Sequence, residues 1–496
     1  MINHTGQPRL APRAIDPAVF SATTGLLRRR AGLVFPPGRH TTLETAMLRV
    51  MRHSGVADAA LVALLAEDSA LFDNLVAEVT IGETYFFRES AQFELIRTDI
   101  IPRLITARPG RRIRAWSSAC ASGEEAYSLA ITLVEQHVDG EVFGTDISRP
   151  RLRAAQHGVY RKWALRGVAD ATIDRWFRRD DDRYTIAAPA RQHTTFGYLN
   201  LAEDCYPSLS TGVWGMDLIL CRNVLIYFDP PTIERVSSAL LDSLSDDGWL
   251  LLGAADPPLT GVSGAEVVET PAGLAYRRSR PGTKHSAPRM LTHEAAPSDT
   301  APLLPPEIRH DHVGTTNPSV TGTTPALPSG TALPHDRILA AYLSRDYQFV
   351  VSLVEAEQSS NTVSTSDRIL LVRALANLGR LPEAGRACAS ALDAQRDVAE
   401  LHYLHSVLLM ESGRPAEAAA AAKRALYLDR GMIVAQLAVA TAAARSGDSA
   451  AATRALATAE RLLVGLPPGA VVPASDCEAA GRLLEMTRVQ RRLQPK

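Results

Sequence analysis

What this sequence has little of narrows its chemistry before any motif is considered. Five cysteines in 496 residues, none at a paired spacing, give neither a disulfide framework nor a thiolate metal site and point to reduced thiols in a cytoplasmic protein. The 13 His are scattered, so no metal is expected. No apolar stretch approaches the roughly 20 residues that a membrane-spanning helix needs; the longest, near 216–228, is short and interrupted. The N-terminus carries no apolar signal segment. A dominant charge is also missing: 53 Lys and Arg stand against 54 Asp and Glu, a net charge of −1. With no basic, aromatic stripe, nucleic acid is not expected as a partner. Neither GxGxxG nor GxxxxGK[ST] occurs, so the chain lacks a strong pyrophosphate cradle.

The rest has an order. The length suits two to four domains. Residues 1–25 are expected to be disordered. Residues 26–95 carry apolar positions at helical spacing, such as Leu43, Met47 and Val50, and predict a small all-α domain. The first 55 residues hold eight Arg against Asp16 and Glu44, a surface suited to an acidic partner; the Arg28–Arg30 run reads equally as a solvated helix end or as an electrostatic guide. Residues 96–280 alternate strand and helix, which predicts an α/β domain with a doubly wound parallel sheet. Residues 281–333 are rich in Pro, Thr, Ser, Gly and Ala, and no aromatic occurs between Tyr276 and Tyr342; a disordered linker is expected. Such a tether carries no fixed geometry, so the segments before it should work without those after it. Residues 334–496 contain a repeat: Gly379, Gly413 and Gly447 are 34 residues apart, as are Ala391, Ala425 and Ala459. That period, with Gly at the turn and Ala at close helix contacts, is the tetratricopeptide signature, an α-solenoid.

The α/β region is organised around DLILCRNVLIYFD, 217–229. Leu218 to Cys221 are apolar on both faces, as in a central parallel strand. Arg222 and Asn223 follow at its carboxyl end, the edge where open α/β sheets bind ligands. WSSACASGEEAYS, 116–128, reads as a strand, a turn of small residues and a helix, with Ser122 and Glu125 at capping-box spacing. Asp146, in FGTDIS, ends the next strand 23 residues after Gly123, the place of an acidic residue that takes ribose hydroxyls. These features favour a nucleoside without phosphates over NAD or ATP. In IGETYFFRES, 81–90, the aromatics suit either a core plug or a wall beside a ligand.

GETYFFRES, SSACASGEEAYS, FGTDIS and CRNVLIYFD occur here in the order in which they occur in CheR-type chemoreceptor glutamate O-methyltransferases, and residues 24–278 resemble that family. The resemblance implies a Rossmann-like domain that binds S-adenosylmethionine, preceded by a small helical domain, and the chain looks most like the subset with C-terminal tetratricopeptide repeats. It implies that Gly82, Thr84 and Arg88 meet the cofactor, that Glu125 and Glu124 hold its amino-acid end, and that Asp146 takes the ribose. Asn200 and Leu201 would flank the adenine, Arg222 and Asn223 would complete the pocket, and Arg88 and Tyr227 would stand at the methyl-transfer centre. Gly82 stands where many members have Asn. GAADPP, 253–258, stands where relatives more often show Gly with Ser-Glu, which puts the far rim in doubt. A small β subdomain would fall near 160–195, a region that in this sequence is charged and helical-looking and whose shape the sequence does not reveal. The implied reaction is methylation of a glutamate carboxylate, which is ionised at neutral pH and needs no general base. The implied partner is the chemoreceptor cytoplasmic domain with its acidic methylation helices, alongside an unknown protein partner for the repeats, with no insertion into the membrane. A non-catalytic scaffold that binds S-adenosylmethionine and partners is the alternative; the retention of Arg88, Asp146, Arg222 and Asn223 weighs against it.

Overall fold

A computed structural model of the chain describes residues 15–67, 69–80, 84–203, 205–259, 262, 264–279, 289–290, 334–358, 363–476 and 478–493. The first helices are α1 (Pro17–Ala31), α2 (His40–Ser54), α3 (Asp58–Glu67) and α4 (Ser69–Val79). α1 begins inside the span expected to be disordered, because the Asp16 side chain accepts from Ala18 N at 2.7 Å and Pro17 occupies the first helical position, a residue pre-set for it. α1 ends at Gly32, whose φ is +68° and whose Cβ would meet Ala202 Cβ at 2.7 Å. Only glycine lets the helix end there and pack this closely on the loop that carries Ala202. The basic run at its end is used mostly within the molecule. Arg28 pairs with Asp229 at 2.6 Å, and Arg30 donates to Leu65 O at 2.8 Å and lies 4.0 Å from the Phe72 ring centroid, while Arg29 is exposed.

α5 (Ser90–Leu95) and α6 (Ile101–Ala107) lead to an eight-stranded sheet that alternates with α7 (Glu124–Glu135), α8 (Arg149–His157), α9 (Asp170–Trp176), α10 (Ala188–Gln192) and α11 (Pro230–Asp242). Its strands are β1 (Ile113–Ser117), β2 (Gly140–Asp146), β6 (Thr194–Tyr198), β7 (Met216–Cys221), β8 (Leu244–Leu252), β9 (Ala265–Thr270), β10 (Gly273–Arg278) and β11 (Arg289–Met290), in the order β11-β9-β10-β8-β7-β1-β2-β6. β8, β7, β1, β2 and β6 are parallel, and β10 turns antiparallel against β8 and β9. β7 is buried along its whole length, as its run of apolar residues predicts for a strand covered on both faces. The doubly wound reading therefore holds. Within the expected linker, 289–290 form β11 and pair with β9; the remainder of 281–333 lies outside the described residues.

Between α8 and β6 the chain makes a second sheet from β3 (Val159–Arg161), β4 (Phe177–Asp180) and β5 (Arg183–Ile186), antiparallel in the order β3-β5-β4. This is the β subdomain that the sequence places without showing its shape. Phe86 anchors it, edge-on to Tyr160 at 4.9 Å and to Phe177 at 4.8 Å, so one of the three consecutive aromatics is a core plug.

The C-terminal region stacks α12 (Pro334–Leu343), α13 (Tyr347–Gln358), α14 (Thr365–Asn377), α15 (Leu381–Ala394), α16 (Ala399–Glu411), α17 (Pro415–Leu428), α18 (Ile433–Arg445) and α19 (Ser449–Val464), followed by α20 (Ala480–Leu493). Gly379, Gly413 and Gly447 take φ of 71°, 70° and 78° at the three repeated turns, and Ala391, Ala425 and Ala459 are buried between helices. The repeats rest against the amino-terminal edge of the large sheet, which the expectation of a tether without fixed geometry did not foresee. Arg114 of β1 pairs with Glu411 of α16 and, at 3.2 Å, with Glu141 of β2; its guanidinium lies 4.6 Å from the Trp214 ring. Arg445 of α18 reaches Glu141 at 2.7 Å. Arg108 and Arg111 donate to Gly379 O at 3.1 and 2.9 Å, and Leu209 N donates to Asp476 at 3.0 Å. Burial lowers the pKa of Arg114. Burial works to raise Glu141, but Arg114, Arg445 and Arg112 outweigh it and hold its carboxyl below the ordinary value.

Candidate active site

The carboxyl ends of β1, β2, β6, β7 and β8 open on a cleft of about 310 Å³ that the helical domain closes from one side through Ala31, Leu33 and Thr80. Thr84, Arg88, Glu125, Asp146, Asn200, Leu201, Arg222, Asn223 and Tyr227 all line it. These are nine of the eleven residues that the sequence singles out. Of the other two, Gly82 lies outside the described residues, and Glu124 does not line the cleft. Glu124 is buried and takes the Ser122 hydroxyl at 2.8 Å. Burial raises its carboxyl above the ordinary value, against the pull of that hydrogen bond. The expected capping box does not form either. Gly123 is the N-cap, at φ 90°, and Ser122 turns to Glu124 because a left-handed residue intervenes between it and the helix.

Glu125 is held on both oxygens. Ser117 Oγ donates to Oε1 at 2.6 Å and Arg222 Nε to Oε2 at 2.6 Å. Arg222 is buried and also donates to Arg88 O at 2.6 Å and to Gln92 Oε1 at 3.4 Å, while Gln92 Nε2 donates to Leu252 O at 2.7 Å. A buried guanidinium needs this number of acceptors. Arg222 thus fastens β7, α7 and the segment before α5 together and fixes Glu125, a positioning role beside the contact role expected of it. Asp146 accepts from Ala121 N at 2.9 Å and Ser148 N at 2.8 Å, and burial raises its pKa although both amides favour its charge. It fixes the small-residue turn, where a Cβ at Gly123 would meet Ala155 Cβ at 2.8 Å.

Asn200 bridges domains: its Nδ2 donates to Arg30 O at 2.5 Å and to Glu203 at 3.3 Å, while its Oδ1 accepts from Ala202 N at 3.1 Å. Asn223 takes φ 59°, and its Oδ1 is buried with no hydrogen-bond partner among the described residues. Buried polar atoms are nearly always paired, so this one marks a place for a ligand donor. Tyr227 carries the Arg39 guanidinium 4.7 Å over its ring, and its carbonyl accepts from Val34 N at 2.9 Å, so the helical domain grips it on two sides. Ser117, Gln92 and Arg39 were not foreseen. Gln92 follows GETYFFRES by two residues and Ser117 opens SSACASGEE, so both stood within reach of the motifs; Arg39 had no local signal.

A parallel sheet of this order, with a small-residue turn after β1 and an acidic residue ending β2, is a Rossmann-like fold whose carboxyl edge suits a nucleoside ligand such as S-adenosylmethionine. The residues present fit that group: an ionisable Asp146 for hydroxyls, a turn close enough for backbone contact, and an orphaned Asn223 oxygen for a donor. Comparison with known proteins gives the family. Residues 82–265 match the family described as CheR methyltransferase, SAM binding domain. The chain is 28% identical over 383 residues to the "Probable biofilm formation methyltransferase WspC" of Pseudomonas aeruginosa, covering 77% of this chain and 83% of that protein. It is 28% identical over 272 residues to "Chemotaxis protein methyltransferase 1" of the same organism, covering 52% of this chain and 97% of that one. It is 30% identical over 218 residues to "Chemotaxis protein methyltransferase Cher2" of Pseudomonas putida, covering 42% and 77%. The chain belongs to the CheR methyltransferase family.

Proposed function

We propose that this protein methylates glutamate side chains on the cytoplasmic domain of a chemoreceptor, in a chemotaxis-type or biofilm-type signalling pathway. The observation that carries the reading is the cleft that gathers Arg88, Glu125, Asp146, Asn223 and Tyr227 in a chain of the CheR family. S-adenosylmethionine, when bound, supplies a sulfonium methyl to an acceptor carboxylate that is already ionised at neutral pH. The chain's own task is therefore placement. Asp146 takes the ribose hydroxyls, Glu125 the amino-acid end, and Asn223 Oδ1 accepts one further donor. Thr84, Asn200 and Leu201 line the rest of the cofactor site. Arg88 orients the acceptor carboxylate, and Tyr227 offers its hydroxyl beside the reacting centre. Arg29 and Arg52, exposed on the helical domain, suit an acidic receptor helix. The helix-pair region is a tetratricopeptide module for a protein partner, and the enzyme works in the cytoplasm. Among the described residues no helix is long and apolar enough to cross a membrane.

The test is calorimetry with S-adenosylmethionine followed by transfer of a labelled methyl group to a receptor cytoplasmic fragment. Labelled ester on glutamate, released by mild base, is the expected result. Tight cofactor binding with no label on any receptor fragment would leave the scaffold reading standing instead.

A further inference from the structure

Behind the cleft, the turn that carries Asn223 and Tyr227 makes two backbone hydrogen bonds of its own, Tyr227 N to Val224 O at 3.0 Å and Phe228 N to Leu225 O at 3.1 Å, and these leave the amides of Asn223, Val224 and Ile226 to an acceptor from elsewhere. It leaves β7 through Arg222, passes a left-handed Asn223 at φ 59°, and tightens into one short turn at Leu225–Tyr227. A non-glycine residue in that conformation needs surroundings that hold it there. One side chain does so. Asp256, in the loop after β8, is buried and faces four backbone amides. Its Oδ2 accepts from Asn223 N, and from Gly253 N at 3.0 Å; its Oδ1 accepts from Val224 N at 2.9 Å and Ile226 N at 3.3 Å. Two loops from neighbouring strands are thus closed on one carboxylate. The loop comes close enough only because residue 253 is glycine: a Cβ there would meet Asn223 N at 2.8 Å and its Cγ at 3.0 Å. Ala255, beside Asp256, lines the cleft, as do Asn223, Val224, Ile226 and Tyr227.

We propose that Asp256 is a second positioning residue of the active site beside Arg222: its carboxylate fixes the backbone that presents Asn223 to the cofactor and Tyr227 to the reacting centre. The chemistry is specific to a carboxylate. Four converging N–H groups need an acceptor with both oxygens unprotonated, because only that group offers lone pairs in every direction and no donor. An amide of the same shape would turn its NH2 toward two of the four donors. This rests on the reading of the cleft as the cofactor site, and it accounts for how a chain with Gly-Ala-Ala-Asp at 253–256 keeps the far rim in place.

The experiment compares the full chain with D256N and D256E by calorimetry with S-adenosylmethionine and by hydrogen exchange of the peptides across the chain. For D256N we expect a cofactor Kd raised about tenfold, the loss of charge-assisted hydrogen bonds, with faster exchange confined to the peptides over 218–230 and 250–258. D256E, which keeps the charge, should recover Kd to within about threefold. Wild-type affinity in D256N, unchanged exchange at 218–230, or failure of D256E to recover would each overturn the proposal. Faster exchange spread evenly over the chain would also overturn it, since Asp256 would then be a general stabiliser. If the wild-type chain itself does not bind S-adenosylmethionine, the reading of the cleft falls, a separate result.

Discussion

Asp146 and Arg222 are both buried charges, and the partners each keeps within the protein set what each can still offer a ligand. Asp146 meets two backbone amides and retains lone pairs toward the cleft, since a carboxylate has about four acceptor sites. D146A should therefore raise the Kd for S-adenosylmethionine roughly 10–100-fold, the range of a charge-assisted hydrogen bond of about 1.5–3 kcal/mol; wild-type affinity by calorimetry would remove Asp146 from the site. Arg222 has its donors engaged by Glu125, Arg88 O and Gln92. Its loss should act through Glu125. Arg88 and Tyr227 line the cleft; if they stand at the reacting centre as proposed, R88A and Y227F should lower kcat on a receptor fragment by more than they raise the cofactor Kd. Normal turnover in both variants would refute that pairing.

Elements show where the sequence could be read and where it could not. β7 was legible, because four residues apolar on both faces suit a central strand, although the Arg-Asn after them read as either a ligand edge or a solvated turn, and the motif at 116–128 located a turn at β1. The detail of that turn was not legible. Ser122 and Glu125 have capping-box spacing, yet Gly123 at φ 90° sends Ser122 to Glu124, a choice made by close packing of Ala155 and Phe196 and not by spacing. Asp256 was hidden for a similar reason: Asp-Pro-Pro spells an ordinary turn, and its four donors come from loops brought near only by the finished sheet. The packing argument can be checked. G123A places a Cβ 2.8 Å from Ala155 Cβ at a φ of +90°, so it should destabilise the fold by about 1–3 kcal/mol in urea unfolding and weaken cofactor binding with it. A G123A protein as stable as wild type would show that α7 can shift freely.

At the scale of the molecule, the repeats and the sheet form a charged seam. Arg114 reads in the sequence as an ordinary strand residue, and its partner Glu411 is 297 residues away, a distance no local pattern spans. Removal of Glu411 leaves Arg114 buried with fewer acceptors, so E411A should cost about 1–3 kcal/mol and truncation after residue 280 should lower the stability of the catalytic region. A truncated chain that melts and turns over like the full one would refute this. The seam also carries a pH dependence. Glu141 is held below its ordinary value of 4.5, so its stabilisation is complete above that value and is lost as pH falls through the lower folded value. The stability advantage of wild type over E141Q should shrink in that acid window and stay constant above about pH 6; an advantage independent of pH would show that the charge of Glu141 is irrelevant to docking. The seam lies on the amino edge of the strands, and the cleft on the carboxyl edge. If the repeats bind the protein partner proposed for them, a partner held on that side leaves the acceptor's route to the cleft clear. In steady-state terms, a repeat ligand and a receptor fragment should not compete: saturating one leaves the apparent affinity of the other free to change only through the body of the sheet, along the strand that runs from Arg114 to Ser117.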